Sequence, residues 1–205
     1  MKAYHEIYDE VLRIERDAID GLLTGLDRAV MDQITDLLLH VRRAGKKVVT
    51  AGCGTSGIAA QKIAHILSVI EVPAVFLSPS NAVHGGIGVV SEGDVVILLT
   101  KGGNTAEIVR YLPICKAKGA TVIGVTQKED SILGREADIF FRVAVEREAC
   151  PWNLIASAGI VAVIAAFDAI AFAVLQYSGF TKEQFHLIHP GGGAGEALDA
   201  EAART

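Results

Sequence analysis

The segment KVVTAGCGTSG at residues 47–57 carries the pattern that decides the fold. Its β-branched run stops at three glycines, and apolar residues then recur at about every third or fourth position from residue 58 to residue 70. The glycines therefore lie between a predicted strand and a predicted helix. Glycines allow a ligand to approach the backbone closely, and the first amides of a helix lack internal partners. The segment predicts an anion site that suits a phosphate group.

Two other interpretations of this glycine segment stay open. The spacing Gly52-x-Gly54-x-x-Gly57 matches a dinucleotide fingerprint, but that interpretation also requires an acid at the end of the second strand to bind a ribose. The predicted second strand ends instead in SPSN at residues 78–81, which contains no acid. An NAD-dependent oxidoreductase is therefore kept only as a weaker hypothesis. The other alternative is a tight strand-to-helix turn that binds no ligand.

The rest of the chain predicts a parallel α/β sheet. Four further strands are predicted, at residues 74–77, 94–100, 121–126 and 139–143. Helical patterns of about a dozen residues separate several of them, as at residues 105–118. The run at 95–99 is continuously apolar, which is typical of a strand buried on both faces. In such sheets ligands bind beyond the carboxyl ends of the strands.

Composition limits the classes of function. A chain of 205 residues suits one domain with a single core, and a net charge of -5 without a basic stripe argues against a nucleic-acid partner. Three cysteines, odd in number and outside metal-ligand spacing, favour reduced thiols in a cytoplasmic protein. The charged first twenty residues do not have the pattern of a signal peptide.

Two helical regions flank the predicted sheet. Residues 3–44 predict two helices broken near residues 21–25, and we expect residues 1–44 to form a dimer arm or a cover for the sheet of the main domain, residues 45–205, in a single globular unit. Residues 154–177 are long enough to cross a bilayer. Their many alanines and Asp168 favour a helix buried in a core or a subunit interface, so no membrane partner is expected.

A second glycine-containing loop follows the third predicted strand. Residues 100–105 read TKGGNT and lead into a helix. Hydroxyls, free amides and an ammonium group are what the oxygens of a phosphate require. Thr105 is predicted to cap the helix while Thr100 faces the ligand. An ordinary capped loop is the alternative.

Two later segments supply candidate catalytic groups. Glu148, in EREACP at residues 146–151, stands between a strand and the apolar helix, where partial burial is expected to raise its pKa towards that of a useful base. His189 stands directly before the turn PGGG. Taken alone, each residue also fits a purely structural role.

With these segments in order, the chain resembles the sugar isomerase (SIS) domain family, and within it the sugar-binding domain of arabinose 5-phosphate isomerases. The resemblance runs from about Val48 to Leu198. Its most specific pieces are VEREACP at 145–151, GFT at 179–181 and HPGG at 189–192, with VHG at 83–85. It implies a three-layer sandwich with a five-stranded parallel sheet, a small phosphorylated sugar bound at the strand ends, and a dimer or tetramer whose sites are completed across subunits.

The resemblance also implies roles for particular residues. Glu148 corresponds to the base, and His189 to the ring-opening or proton-relay histidine, of an aldose–ketose isomerisation that proceeds through an enediol without cofactor, metal or nucleotide. His84 is similar to a residue near the pocket that contacts sugar or metal, the alternative being a histidine bonded within its own loop. The positions implied to bind the phosphate are Gly54, Thr55, Ser56, Thr100, Lys101, Gly103, Asn104 and Thr105.

The chain departs from the family at several of these positions. Those isomerases carry a lysine where this chain has Thr55 and a glutamate where it has Asn104, and Gly102 replaces a serine. The paired regulatory modules that usually follow the isomerase domain are expected to be absent. The departures favour a phosphosugar-binding or regulatory module without turnover, whereas Glu148 and His189 favour an enzyme. Lys101, where the family often has an uncharged polar residue, is expected to bring an ammonium group to the phosphate or the oxyanion.

Overall fold

A five-stranded parallel sheet with helices on both faces forms the centre of the molecule. The computed structural model describes residues 2–202. The sheet order is β2-β1-β3-β4-β5, and every neighbouring pair is parallel. The strands are β1 (Val48–Gly52), β2 (Ala74–Phe76), β3 (Val95–Leu99), β4 (Thr121–Thr126) and β5 (Ile139–Arg142). The predicted α/β fold is confirmed, and every predicted strand lies within one or two residues of its observed position.

The helices follow the predicted pattern in outline, but the pattern at residues 105–118 is divided into two short helices. Within residues 2–202 they are α1 (Tyr4–Gly25), α2 (Arg28–Arg43), α3 (Gly54–Val69), α4 (Pro79–Ala82), α5 (Ala106–Val109), α6 (Tyr111–Ala117), α7 (Ile132–Glu136), α8 (Ala158–Ser178), α9 (Lys182–Ile188) and α10 (Gly192–Ala202). A 3-10 turn occupies Gly86–Val89. The first break lies at Leu26 and Asp27, just beyond the predicted residues 21–25, because the Asp27 carboxylate caps α2 by accepting from the amides of Ala29 and Val30.

The side chains of β3 explain why its sequence is continuously apolar. Val95, Ile97 and Leu99 join the core on one face of the sheet, and Val96 and Leu98 join the core on the other. Successive side chains of a strand point to opposite faces, so both faces of β3 must be apolar when both are covered. Helices α2, α3 and α8 cover the first face, whereas α6 and α7 cover the second.

The long apolar helix α8 packs against the sheet and its neighbouring helices. It is the one helix in residues 2–202 that is long and apolar enough to cross a membrane. The ring of Phe167 makes an edge-to-face contact with Phe141 of β5, their centroids 5.7 Å apart. Asp168 forms an ion pair with Lys62 of α3. The alanines and Asp168 in the sequence predicted a helix packed in the core, and the observed packing agrees with that prediction.

A buried carboxylate ties the starts of β1 and β3 together. Asp94 is 1% exposed, and its carboxylate accepts from the Lys47 ammonium at 2.6 Å and from the amides of Lys47 at 3.1 Å and Ser91 at 2.7 Å. Burial acts to raise the pKa of Asp94, but the bonds from Lys47 and Ser91 outweigh it and hold the pKa below its ordinary value.

We expect Asp94→Asn to lower the free energy of unfolding at pH 7 by about 1.5–3 kcal/mol, the range for hydrogen bonds to charged groups. Because the pKa of Asp94 is lower in the folded than in the unfolded chain, this stabilisation is present at neutral pH. It is lost as the pH falls below about 4. Urea unfolding of both proteins over this pH range checks the prediction, with the exposed Asp36→Asn as control. A wild-type advantage that does not change with pH would contradict it.

Candidate functional site

A cleft opens at the carboxyl ends of β3, β4 and β5. Its apolar wall comes from the strand ends and from the first turns of α8. Its polar wall is formed by Ser56, Thr100, Lys101, Thr126, Gln127 and Glu148. This edge is where parallel sheets bind their ligands.

The glycine segment forms a tight turn between β1 and α3. A Cβ atom on Gly52 would lie 2.6 Å from the Ser56 carbonyl oxygen, and one on Gly57 would lie 2.7 Å from the Gly52 carbonyl oxygen. These two glycines are therefore required by the packing of the helix on the strand. Within the described residues no side chain caps α3, so its first amides are available to an anion.

The predicted residues of this turn separate in space. Ser56 lines the cleft. Gly54, which has a φ of +54°, lines a neighbouring pocket on the β2 side instead. Thr55 is exposed and is not one of the residues that line the cleft. The structure thus brings one of the three predicted residues of the first loop to the cleft.

The second loop is tied to β4 and α7. The hydroxyls of Thr100 and Thr105 lie 2.6 Å apart, and the Thr126 hydroxyl donates to the Lys101 carbonyl oxygen at 2.9 Å. Gly103 has a φ of +72°, and a Cβ there would lie 1.8 Å from the Ser131 Oγ atom. The loop geometry therefore requires glycine at position 103.

Two residues of the second loop have different contacts from those predicted. The Oδ1 atom of Asn104, a residue predicted to bind the phosphate, accepts from the amide of Ile132 at 2.9 Å and so connects the loop to α7. Thr105 occupies the N-cap position of α5, yet its side chain caps no amide. Its hydroxyl bonds Thr100 instead, so the predicted side-chain cap is wrong.

Glu148 is held by contacts to both of its carboxylate oxygens. The side chain is fully buried, and its Oε1 atom accepts from the Lys101 ammonium at 2.6 Å. Its Oε2 atom accepts from the amides of Ser157 at 2.8 Å and Gly159 at 3.1 Å, with the Ser157 hydroxyl at 3.3 Å. The carboxylate therefore lies at the amino end of α8, where the helix dipole favours a negative charge.

The pKa of Glu148 is displaced in the direction opposite to the sequence prediction. Burial acts to raise this pKa, as expected. The hydrogen bond from Lys101, the amides of Ser157 and Gly159 and the Lys101 charge outweigh burial, so the pKa lies below its ordinary value. Glu148 is therefore ionised at neutral pH and can accept a proton.

Three residues of this site, Ser157, Gly159 and Thr126, were not predicted from the sequence. A Cβ on residue 159 would lie 2.7 Å from the Glu148 Oε1 atom, so glycine there allows the carboxylate to approach the helix. The serine directly before a long apolar helix was the signal that could have identified Ser157. Thr126 could have been found as a hydroxyl at the carboxyl end of a predicted strand.

The structure does not bring the two predicted histidines into this cleft. His189 follows α9, its ring lies 5.0 Å from that of Phe185, and its Nδ1 atom is buried without a hydrogen-bond partner among the described residues. His84 is exposed in the turn after α4. Neither lines the cleft, so within one chain Glu148 and His189 do not share a site.

None of the three cysteines lines the cleft. The three cysteines are free thiols, and burial followed by the charge of Asp138 raises the pKa of Cys115 to about 11. Within residues 2–202 no group of three or more histidine, cysteine, aspartate or glutamate side chains is arranged to bind a metal.

Comparison with known proteins identifies the family of this chain. The family model described as the SIS domain matches residues 41–173. This chain belongs to the SIS domain family. The prediction from the sequence motifs is confirmed, and the cleft lies at the strand ends of the SIS fold.

Among curated proteins, this SIS chain is similar to enzymes named arabinose 5-phosphate isomerase KdsD. The protein from Pseudomonas aeruginosa is 39% identical over 186 residues, which are 90% of this chain and 56% of that protein. The protein from Escherichia coli K12 is 35% identical over 189 residues, 92% of this chain and 56% of that protein. The chain thus spans about half the length of these relatives.

Solved structures share the fold of this protein over nearly its whole length. A structure from Listeria monocytogenes is 44% identical with a TM-score of 0.88, covering 93% of this chain and 100% of that chain. A structure from E. coli CFT073, solved in complex with arabinose 5-phosphate, is 31% identical with a TM-score of 0.82 and has the same coverage.

Proposed function

We propose that this SIS-domain protein is a sugar-phosphate isomerase that interconverts an aldose phosphate and a ketose phosphate. The observation that carries the proposal is the buried, ionised carboxylate of Glu148 in a cleft rimmed by hydroxyls at the strand ends. Relatives named arabinose 5-phosphate isomerase, and a relative solved with arabinose 5-phosphate, support a small phosphorylated sugar as substrate.

In the proposed reaction the carboxylate of Glu148 moves a proton between two adjacent carbon atoms of the sugar. Hydroxyls of Ser56, Thr100 and Thr105, with the first amides of α3, bind the phosphate group and so fix the sugar beside the carboxylate. Removal of this proton, with donation of a proton to the carbonyl oxygen, gives an enediol, and hydrogen-bond donors in the cleft stabilise the oxyanion that develops on that oxygen. Return of the carbon proton to the neighbouring carbon, with loss of the proton from the other enediol hydroxyl, completes the isomerisation.

We further propose that His189 reaches this cleft from a second copy of the chain. Its buried Nδ1 atom has no partner among the described residues of its own chain, and the ring does not line the cleft. Helix α1 also has exposed apolar side chains along its length: Ile7, Leu12, Ile19 and Leu23. A dimer or tetramer with shared sites would cover such side chains and supply the histidine that opens the sugar ring. We place this assembly in the cytoplasm, without a nucleic-acid or membrane partner.

A specific observation also favours a second candidate, a phosphosugar-binding or regulatory module without turnover. Asn104 stands where the related isomerases carry a glutamate, and its side chain is used to connect two loops. Thr55 likewise replaces a lysine. In this alternative the Lys101–Glu148 ion pair is a permanent part of the fold.

Hydrogen exchange at carbon separates the two candidates. Incubation with aldose and ketose phosphates, including arabinose 5-phosphate, in deuterated water is expected to incorporate deuterium beside the carbonyl carbon, because the proton that Glu148 takes from the sugar exchanges with the solvent before a proton returns to carbon. Thermal stabilisation by a sugar phosphate without any incorporation would instead support the binding module. The absence of both thermal stabilisation and deuterium incorporation would contradict both candidates.

A further inference from the structure

The Lys101–Glu148 ion pair joins one fixed group and one movable group. Glu148 is 0% exposed and its second oxygen is held by three donors from the start of α8, so the carboxylate cannot turn away. The Lys101 side chain is 44% exposed. Its backbone is fixed, because its carbonyl oxygen accepts from the Thr126 hydroxyl at 2.9 Å and from the Gln127 amide at 3.2 Å. The long lysine side chain is therefore the part that is free to move.

Lys101 and Glu148 are the charged side chains among the described residues that line the cleft. The other polar groups there are hydroxyls, amides and a glutamine. The elements that face Glu148 contribute Lys101 from the second loop and the Ser157 hydroxyl and helix amides from α8. An anion that enters the cleft therefore meets one cation among these lining residues, and that cation is already bonded to Glu148.

Lys101 also stands within the loop that is proposed to bind the phosphate. It directly follows Thr100, whose hydroxyl lies 2.6 Å from that of Thr105. A phosphate dianion carries more charge than a carboxylate and offers three acceptor oxygens, so it competes for the ammonium. A carboxylate that loses its ammonium partner in a buried position binds a proton more strongly.

We propose that Lys101 is a movable counter-ion, which pairs with Glu148 in the free protein and transfers its hydrogen bond to the phosphate group of a bound sugar phosphate. The inference rests on the proposed phosphosugar site. Lys101 then acts as a positioning residue: it keeps Glu148 ionised until the substrate arrives, and its departure makes the carboxylate a stronger base at the moment when a proton must be removed. Binding of the phosphate would thus activate the base.

The first test measures the pKa of Glu148 by carbon-13 NMR of labelled glutamate, with the resonance assigned from the Glu148→Gln protein. Lys101→Met is expected to raise the pKa of Glu148, because an ammonium partner is removed. Lys101→Arg is expected to preserve the low pKa, because it restores a cation. The control is Lys116→Met, at an exposed lysine of α6 on the opposite side of the sheet, which should leave the pKa of Glu148 unchanged.

The second test adds inorganic phosphate or arabinose 5-phosphate and follows the nitrogen-15 resonance of the Lys101 ammonium. We expect this resonance to change saturably, and the pKa of Glu148 to rise with the same midpoint in phosphate concentration. Lys101→Met is expected to weaken phosphate binding about 10- to 100-fold, the value of one hydrogen bond to a charged group.

The outcomes separate this inference from the proposed function. If phosphate or arabinose 5-phosphate binds while the Lys101 resonance and the pKa of Glu148 do not change, Lys101 is a fixed structural ion pair and the inference is overturned. The phosphosugar site would survive that result. If neither ligand binds at any concentration, nor any other pentose or hexose monophosphate, the inference and the proposed function fail together.

Discussion

Replacement of Glu148 by glutamine is expected to lower the rate of sugar-phosphate isomerisation by about 10²- to 10⁴-fold, the usual contribution of a general base. Glutamine retains an oxygen that can accept from the amides of Ser157 and Gly159, so the start of α8 should keep its structure. It cannot take a proton from the sugar. The rate is measured with the substrate found in the deuterium experiment, and the unfolding midpoint shows whether the variant is folded.

The control for this variant is Glu146→Gln. Glu146 is exposed and precedes Glu148 by two residues, so the same change is made in the same segment outside the cleft. We expect its rate to equal that of the wild type. A folded Glu148→Gln protein that retains the wild-type rate would show that another group moves the proton.

Replacement of Gly103 by alanine is expected to lower the free energy of unfolding by about 2–4 kcal/mol. The new Cβ atom would lie 1.8 Å from the Ser131 Oγ atom and 3.0 Å from the Thr126 Oγ1 atom, at a φ of +72°. Both the strain and the clash must be relieved by moving the loop that carries Thr100 and Lys101. Phosphate binding should therefore weaken in the same variant, and urea unfolding and calorimetry measure the two effects.

The neighbouring glycine provides a matched control for this substitution. A Cβ atom on Gly102 would have no heavy atom within 4 Å, so Gly102→Ala is expected to change the free energy of unfolding by no more than about 0.5 kcal/mol. Equal effects of Gly102→Ala and Gly103→Ala would contradict the view that position 103 fixes the geometry of the loop.

The fold could be predicted from the sequence because its patterns are local. The apolar run of β3 and the glycine segment at residues 47–57 specify a strand buried on both faces and a strand-to-helix turn, and both are observed. The parallel order of the strands follows from the helices between them. The helix ends were less predictable, because Asp27 caps α2 through a hydrogen bond that composition does not reveal.

The site was predicted only in part, because its decisive contacts join distant residues. Glu148 and Lys101 are separated by 47 positions, and the sign of the Glu148 pKa shift depends on their hydrogen bond. Burial alone predicted a raised pKa. The hydrogen bond between the Asn104 side chain and the amide of Ile132 in α7 likewise joins residues 28 positions apart. Tertiary contacts of this kind leave no periodic pattern in a sequence.

The role proposed for His189 depends on a second chain, which neither the sequence pattern nor one copy of the structure contains. Its ring contacts Phe185, and its Nδ1 atom has no partner among the described residues. A histidine that completes a neighbouring site would have these properties in a single chain. The assignment therefore stays a prediction that depends on self-association.

The cleft at the strand ends is proposed to bind the phosphate group of a sugar phosphate. Calorimetric titration of the protein with arabinose 5-phosphate, and with arabinose as the unphosphorylated control, tests this proposal most directly. We predict saturable binding of the phosphorylated sugar, no detectable binding of arabinose, and weaker binding by the Gly103→Ala protein. If neither arabinose 5-phosphate nor any other pentose or hexose monophosphate binds, the account is contradicted.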